Sequence, residues 1–507
     1  HSQAIRPIVY EDFPSLQRLF GYIAHDAHAP QAANHLDLQA GTLLKANGGF
    51  LIVELEQILQ QPQVWHILKH ALQCRHWQWS SLQHLMPATR LQVSDIPLQL
   101  TVILLAEPET YDDLLLVDQD LARLFKIRAD FTDTLPRQAE HELSFVQWIA
   151  DYIQQDQLLP FDREALAEIL TDASHRAEDQ NALSLHGASL SELLRESHFH
   201  AMQAQSDGVK ACHVQTALKQ RLYRLGYWRE LYWQDLSQGT QLIETQGQRL
   251  GQVNALSVIQ YADSEFGFPS RLTASVCQGA GDILDIERSV ELGGSLHAKG
   301  TLLMSSFLKS HFGRQQILNF SAALAFEQSY GEVDGDSATV AELSALISAI
   351  SQIPIHQSWA ITGSMNQLGQ VQPVGGINAK IEGFFDACQL QGLTGSQGVI
   401  IPRQNIQHLM LRQDIIDAVQ QGKFHVHAID HVEQALEILM NRPVGEFNAQ
   451  GQYSPHSIYA AVMQQLAQWQ ESETELLLEE KPKAKKKKAK KKAKHKQDDD
   501  LSAQEQT

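Results

Sequence analysis

Two short segments carry side chains that could do chemistry together. Gly335-Asp336-Ser337-Ala338 sets a serine after a glycine turn. Pro373-Val374-Gly375-Gly376-Ile377-Asn378-Ala379-Lys380 sets a lysine just past a second one, and the two side chains stand 43 positions apart. Val340, Leu343, Leu346, Ile347 and Ile350 recur at helical spacing after Ser337, which predicts a helix opening near the serine. Thr339 and Glu342 have capping-box spacing at that opening. A helix N-terminus offers unpaired N–H groups and a positive dipole end, which suit an oxyanion. Lys380 falls in a predicted first helical turn ahead of Ile381, Phe384, Phe385 and Cys388. A cation at that end meets the wrong pole of the dipole, and burial lowers its pKa further. A neutral amine can take a serine proton, so the pair reads as nucleophile and base of a Ser–Lys hydrolase.

Either residue alone says little. Serine is a preferred helix cap, and lysine is mostly a solvated charge. The joint pattern carries the reading. His425, His427 and His431 form an HxH-x3-H cluster, but with 23 histidines in the chain such spacing arises by chance. No HExxH occurs, and no metal is expected. Gly293-Gly294 through Lys299-Gly300 does not follow the order of a nucleotide loop and reads as a structural or substrate-facing turn.

Residues about 245–440 resemble the proteolytic domain of the Lon protease family, in its Lon-B-like branch of Lon-related ATP-dependent proteases. The resemblance is carried by Gly251 through Val258, Leu292 through Gly300, Glu332-Val333-Asp334-Gly335-Asp336-Ser337-Ala338, and Val374 through Lys380. It implies a Ser–Lys dyad with Ser337 as nucleophile and Lys380 as general base. It also implies that Asp334 is an acid orienting or tuning the dyad. The resemblance further implies a homo-oligomeric ring, a hexamer, that admits unfolded or loosely folded polypeptides.

The elements that must position these groups divide the chain. Residues 1–140 read as α/β: Gly48 to Glu54 is a turn into a buried strand, Gln61 to Leu72 a helix, and Leu100 to Leu105 a second buried strand. That alternation predicts a parallel, doubly wound sheet. The segment opens without methionine and mid-domain, so it is expected to be N-terminally incomplete. Residues 141–228 read as a helical bundle, 229–250 as a polar connector, 251–445 as the hydrolase domain, and 446–507 as an extension ending in a disordered Lys-rich tail. By resemblance, the first two parts are an AAA+-like α/β subdomain and its helical lid. The fold class is therefore α/β: a degenerate AAA+-like module with a lid, then a Lon-type α/β proteolytic domain.

The motor half departs from a working pattern. GxxxxGK followed by Ser or Thr occurs nowhere, so the backbone cradle for ATP phosphates is missing. Glu54 stands where the family's magnesium-binding acid belongs, but Leu55 follows it. Arg123 and Arg176 keep surroundings like those of the family's trans-acting and lid arginines. ATP and Mg²⁺ dependence is thus expected to be weak or absent, unless the phosphate loop lies upstream.

Charge and cysteine usage bound the partners. The formal charge is −19, yet eleven lysines lie between Lys481 and Lys496, so the remainder carries about −30. An acidic body disfavours nucleic-acid binding by the main surface, while the tail could hold polyanions nonspecifically. Cys74, Cys212, Cys277 and Cys388 form no CxxC pair, which fits a reducing cytoplasm. No apolar run approaches the roughly 18 residues of a membrane span. The expectation is a cytoplasmic serine endopeptidase. The competing expectation is a non-proteolytic, chaperone-like scaffold tethered to polyanions by its tail.

Overall fold

The computed structural model describes residues 6–23, 37–79, 94–261, 264–313, 316–448 and 452–472. The Lys-rich tail lies outside these residues. The chain forms two compact units, residues 1–132 and 133–507.

The first unit is built on three parallel strands. Phe50–Glu54 lies between Ile8–Glu11 and Thr101–Leu105. Alternation sends Leu51 and Val53 to one face, where they join Leu19, Phe20, Leu43, Ile58 and Leu68 in a core. The helix Pro62–Cys74 docks there through Val64, Trp65, Ile67, Leu68 and Ala71, one stripe at helical spacing. Among the described residues, the second layer of the expected doubly wound sheet is not present. The opposite face is open among the described residues, with Ile8 71% and Leu105 45% exposed. Thr101–Leu105 is accordingly an edge strand whose side chains alternate between exposed and half-buried, not a buried one. Four apolar residues in a row, Val102 to Leu105, could not distinguish these outcomes, because an edge strand and a central strand can share one composition.

The second unit begins with four helices, Ala139–Gln155, Arg163–Arg176, Gly187–Gln203 and Ala211–Leu225. Phe145, Ile149, Ile169, Leu193, Leu194 and Val214 form their core. The segment expected to be a polar connector differs from that reading in its first half. Helix Tyr227–Gln238 runs through it, and Leu236 packs against Ala387.

A seven-stranded mixed sheet follows. Its order is Ile283–Asp285, Phe320–Phe326, Ser264–Gln278, Gln252–Tyr261, Trp359–Ile361, Gly398–Pro402 and His425–Ile429. The three longest strands pair antiparallel, and the last four run parallel. Both faces are covered. Helix Thr339–Ser351 lies on one, buried at all 13 positions with Ile361 and Ile400 in its cluster. Burial of its Leu343, Leu346, Ile347 and Ile350 contributes roughly 6–12 kcal/mol as an upper estimate. Helix Ile377–Gln391 lies on the other, clustered with Ala360, Val399 and Ile401. It packs backbone to backbone: a Cβ on Gly383 would stand 2.0 Å from the Gly267 carbonyl oxygen.

This topology brings two helix N-termini together. Thr339–Ser351 precedes the strand Trp359–Ile361, and Ile377–Gln391 follows it. Both therefore open at that strand's carboxyl end, one above the sheet and one below. Ligand sites in α/β sheets form at such a crevice. Among the described residues, no helix is long and apolar enough to cross a membrane.

Candidate active site

Ser337 lies two residues ahead of helix Thr339–Ser351, and Gly335 turns the chain into it with φ +103°. The capping box expected from Thr339 and Glu342 does not form. Thr339 bonds the Asp336 carbonyl instead, and Glu342 is buried facing His297. The Ser337 carbonyl accepts from the Gly363 N–H at 2.8 Å and from the Thr362 hydroxyl at 3.3 Å. These bonds fix the serine segment to the end of strand Trp359–Ile361.

Lys380 is the fourth residue of helix Ile377–Gln391. Gly376 caps that helix at φ +62°, where a Cβ would come 2.5 Å from a Glu265 carboxylate oxygen. Asn405 holds the turn from outside, accepting from the Val374 N–H and donating to its carbonyl. Asn378 ties the first helical turn to His408 and Met410. Gln180 in turn donates to the carbonyls of Ile406 and Leu409, so a loop of the helical part braces the segment that braces the lysine helix.

The two side chains meet. Lys380 Nζ donates to Ser337 Oγ at 3.1 Å and to Thr362 Oγ1 at 3.3 Å. The lysine is only 4% exposed. Burial drives its pKa down to about 8, against the opposing pull of Glu265, Asp336 and Glu178. Near neutral pH a useful fraction of such an amine is uncharged. The arrangement can deprotonate a hydroxyl without a histidine.

Asp334 is placed differently from the expectation. Its carboxylate accepts from the N–H groups of Leu296 and His297 at 3.2 and 3.4 Å, capping helix Ser295–His311. A bond from the Gly335 N–H, with those two added, holds its pKa below the usual carboxylate range. Of the two aspartates in this segment, Asp336 acts on the lysine, after Glu265, and accepts from the Ser364 hydroxyl at 2.7 Å. Thr362, Ser364, Asp336 and Glu265 were not singled out from the sequence. Asp336 sits inside the quoted motif, and Thr362-Gly363 after the apolar Trp359-Ala360-Ile361 marks a strand end where a polar group faces a crevice.

Thr362→Val should lower kcat/KM about tenfold, the worth of one hydrogen bond to the lysine. It should also move the acidic limb of the pH profile, because Thr362 acts through the Lys380 amine. An unchanged limb with reduced activity would mean a merely structural role.

The residues expected to serve a nucleotide lie elsewhere. Glu54 ends the central strand of the first unit and accepts from the Tyr10 hydroxyl. Arg123 is exposed on helix Gln119–Leu124. Arg176 belongs to the second unit and pairs with Asp172 at 2.6 Å. No GxxxxGK sequence occurs in these 507 residues, so the phosphate-binding part of a nucleotide site is not among them. The three clustered histidines have separate structural contacts. His425 bonds the Gly395 carbonyl, His427 packs edge-on to Trp359, and His431 caps helix Val432–Met440.

Comparison with known proteins agrees with this anatomy. Residues 4–132 match the family model of a LonB-like AAA domain, 160–224 that of an archaeal LonB AAA+ ATPase lid domain, and 328–442 that of the Lon protease (S16) C-terminal proteolytic domain. A Lon protease homolog of Escherichia coli (strain K12) is 40% identical over 437 residues, covering 86% of this chain and 73% of its own length. One from Haemophilus influenzae is 35% identical, covering 82% of this chain and 68% of its own. An archaeal Lon protease of Archaeoglobus fulgidus is 27% identical, covering 83% of this chain and 65% of its own.

Proposed function

Because this chain belongs to the Lon protease family, we propose that it is a serine endopeptidase working through a Ser337–Lys380 dyad, with weak or no dependence on ATP. The 3.1 Å approach of a buried amine to a serine hydroxyl carries the reading. Ser337 Oγ attacks the scissile carbonyl carbon while its proton passes to Lys380 Nζ. The Thr339 N–H is bonded to the Asp336 carbonyl and the Val340 N–H to that of Gly363. That leaves the N–H groups of Ser337 and Ala338 to receive the oxyanion. The ammonium of Lys380 then protonates the leaving amine, and the carbon–nitrogen bond breaks. Water, deprotonated by the same lysine, hydrolyses the acyl-enzyme. Unfolded or loosely folded polypeptides are the proposed substrates, handled in a homo-oligomeric ring.

The energy-independent reading is supported by the absence of a GxxxxGK sequence from these 507 residues. Hydrolysis of an unfolded protein should proceed at the same rate with and without ATP and Mg²⁺, within about twofold. Stimulation of tenfold or more would overturn this part and leave the dyad standing.

A further inference from the structure

Beneath the serine segment lies a second cluster of ionisable groups that the proposed reaction leaves unused. Asp285 ends the edge strand Ile283–Asp285, and Glu287 lies in the short helix Ile286–Ser289 after it. His297 comes from the first turn of helix Ser295–His311, and Glu342 from the first turn of helix Thr339–Ser351. All four are buried, with His297 and Glu342 each only 2% exposed. Donor atoms of Asp285, Glu287 and His297 lie within 4.8 Å of one another.

The directions of these groups matter as much as their closeness. His297 Nε2 is 3.1 Å from Asp285 Oδ2, yet this nitrogen makes no hydrogen bond. The carboxylate oxygen sits off the N–H axis of the ring. Glu342 Oε2 is likewise buried without a partner. Groups that share a proton aim at each other, whereas groups that share an ion aim at a point between them. On the far side of the ring, Glu342 Oε1 is 3.6 Å from Nδ1. A carboxylate there favours a proton on Nδ1 and turns the Nε2 lone pair toward the cluster. Asp285 is steadied by the Arg288 N–H and the Thr301 hydroxyl, and Glu287 by the Phe326 N–H at 2.7 Å.

Among the described residues, His297 is the ion-pair partner of Asp285 and Glu342, and no lysine or arginine joins them.

We propose that Asp285, Glu287 and His297 bind one structural divalent transition-metal ion of the zinc class, with Glu342 orienting the histidine. A tetrahedral centre about 2.0–2.2 Å from each donor needs its ligands roughly 3.3–3.6 Å apart, so donors within 4.8 Å of one another would draw together on the ion. An imidazole with two carboxylates, all three buried, suits zinc better than magnesium, which keeps its waters and prefers oxygen. The ion ties the edge strand to helix Ser295–His311. Gly300 of that helix packs so closely on the serine segment that a Cβ there would lie 2.6 Å from Thr339 Oγ1. None of this sets was readable in sequence, because the ligands come from three separate elements.

The test uses the full chain, stripped with EDTA, reloaded with ZnCl₂ and dialysed. Elemental analysis should find one zinc per chain in the wild type and in His427→Gln, and none in Asp285→Asn or Glu287→Gln. Zinc should raise the melting temperature of the first two only. Equal zinc in the wild type and Asp285→Asn, or no retained zinc in the wild type, would overturn the proposal. Should the variants fail to fold, anomalous diffraction at the zinc edge from the wild type decides. A peak among Asp285, Glu287 and His297 supports the site, and a peak elsewhere or none contradicts it.

Discussion

Lys380→Met is expected to remove proteolysis, by at least about 10³-fold in kcat/KM, while raising the stability of the folded chain at pH 7. The two effects share one cause. The amine is buried, and burial lowers its pKa from 10.5 to about 8. An unfolded chain holds that proton more tightly than the folded one. Folding therefore carries a penalty that is full below pH 8, shrinks as pH rises from 8 toward 10.5, and vanishes above. At pH 7 it is about 3 kcal/mol. Methionine fills much the same volume without a charge, although the hydrogen bonds to Ser337 and Thr362 are lost. A net gain of about 1–2 kcal/mol should remain, visible calorimetrically as a melting temperature several degrees higher. The gain should fade when the scan is repeated near pH 10. A lower melting temperature at pH 7 would mean that the amine is not buried at this cost. Wild-type kcat/KM should rise with pH through about 8, as the amine loses its proton. Lys380→Arg should be as inactive as the methionine variant, because a guanidinium cannot act as base.

Ser337→Ala should cut hydrolysis of an unfolded protein by about 10⁴-fold or more, since no covalent intermediate can form. Binding of that protein should stay within about twofold, because the substitution removes one oxygen and leaves the backbone bonds of Ser337 to Gly363 in place. Binding that collapses with activity would indicate a distorted segment instead of a missing nucleophile. Full activity in the variant would remove Ser337 from the mechanism.

Local pattern made part of this legible. The apolar stripe after Ser337, the glycines before it, and the glycine pair before Lys380 state their own conformations, so the two segments that the structure brings together could be picked out from the chain. What sequence concealed was set by tertiary packing. Glu342 has the spacing of a capping residue, but its helix is buried on every side, so its carboxylate turns to His297. Asp334 and Asp336 are two residues apart and similar in kind. Which of them faces the lysine depends on how the turn at Gly335 presents the segment to helix Ser295–His311. Thr362 reaches the site only because two crossover helices open at the end of its strand. The exposure of one sheet face among the described residues of the first unit was hidden for a similar reason, since Leu100 to Leu105 reads as buried strand whether or not anything covers it.

The most direct test of the account is covalent labelling of the intact chain with a serine-reactive fluorophosphonate, read by mass spectrometry. A single adduct on Ser337 is predicted, absent in Ser337→Ala, strongly slowed in Lys380→Met, and faster as pH rises through about 8. An active preparation that cleaves unfolded protein yet carries no adduct on Ser337, or carries it on another serine, would contradict the dyad.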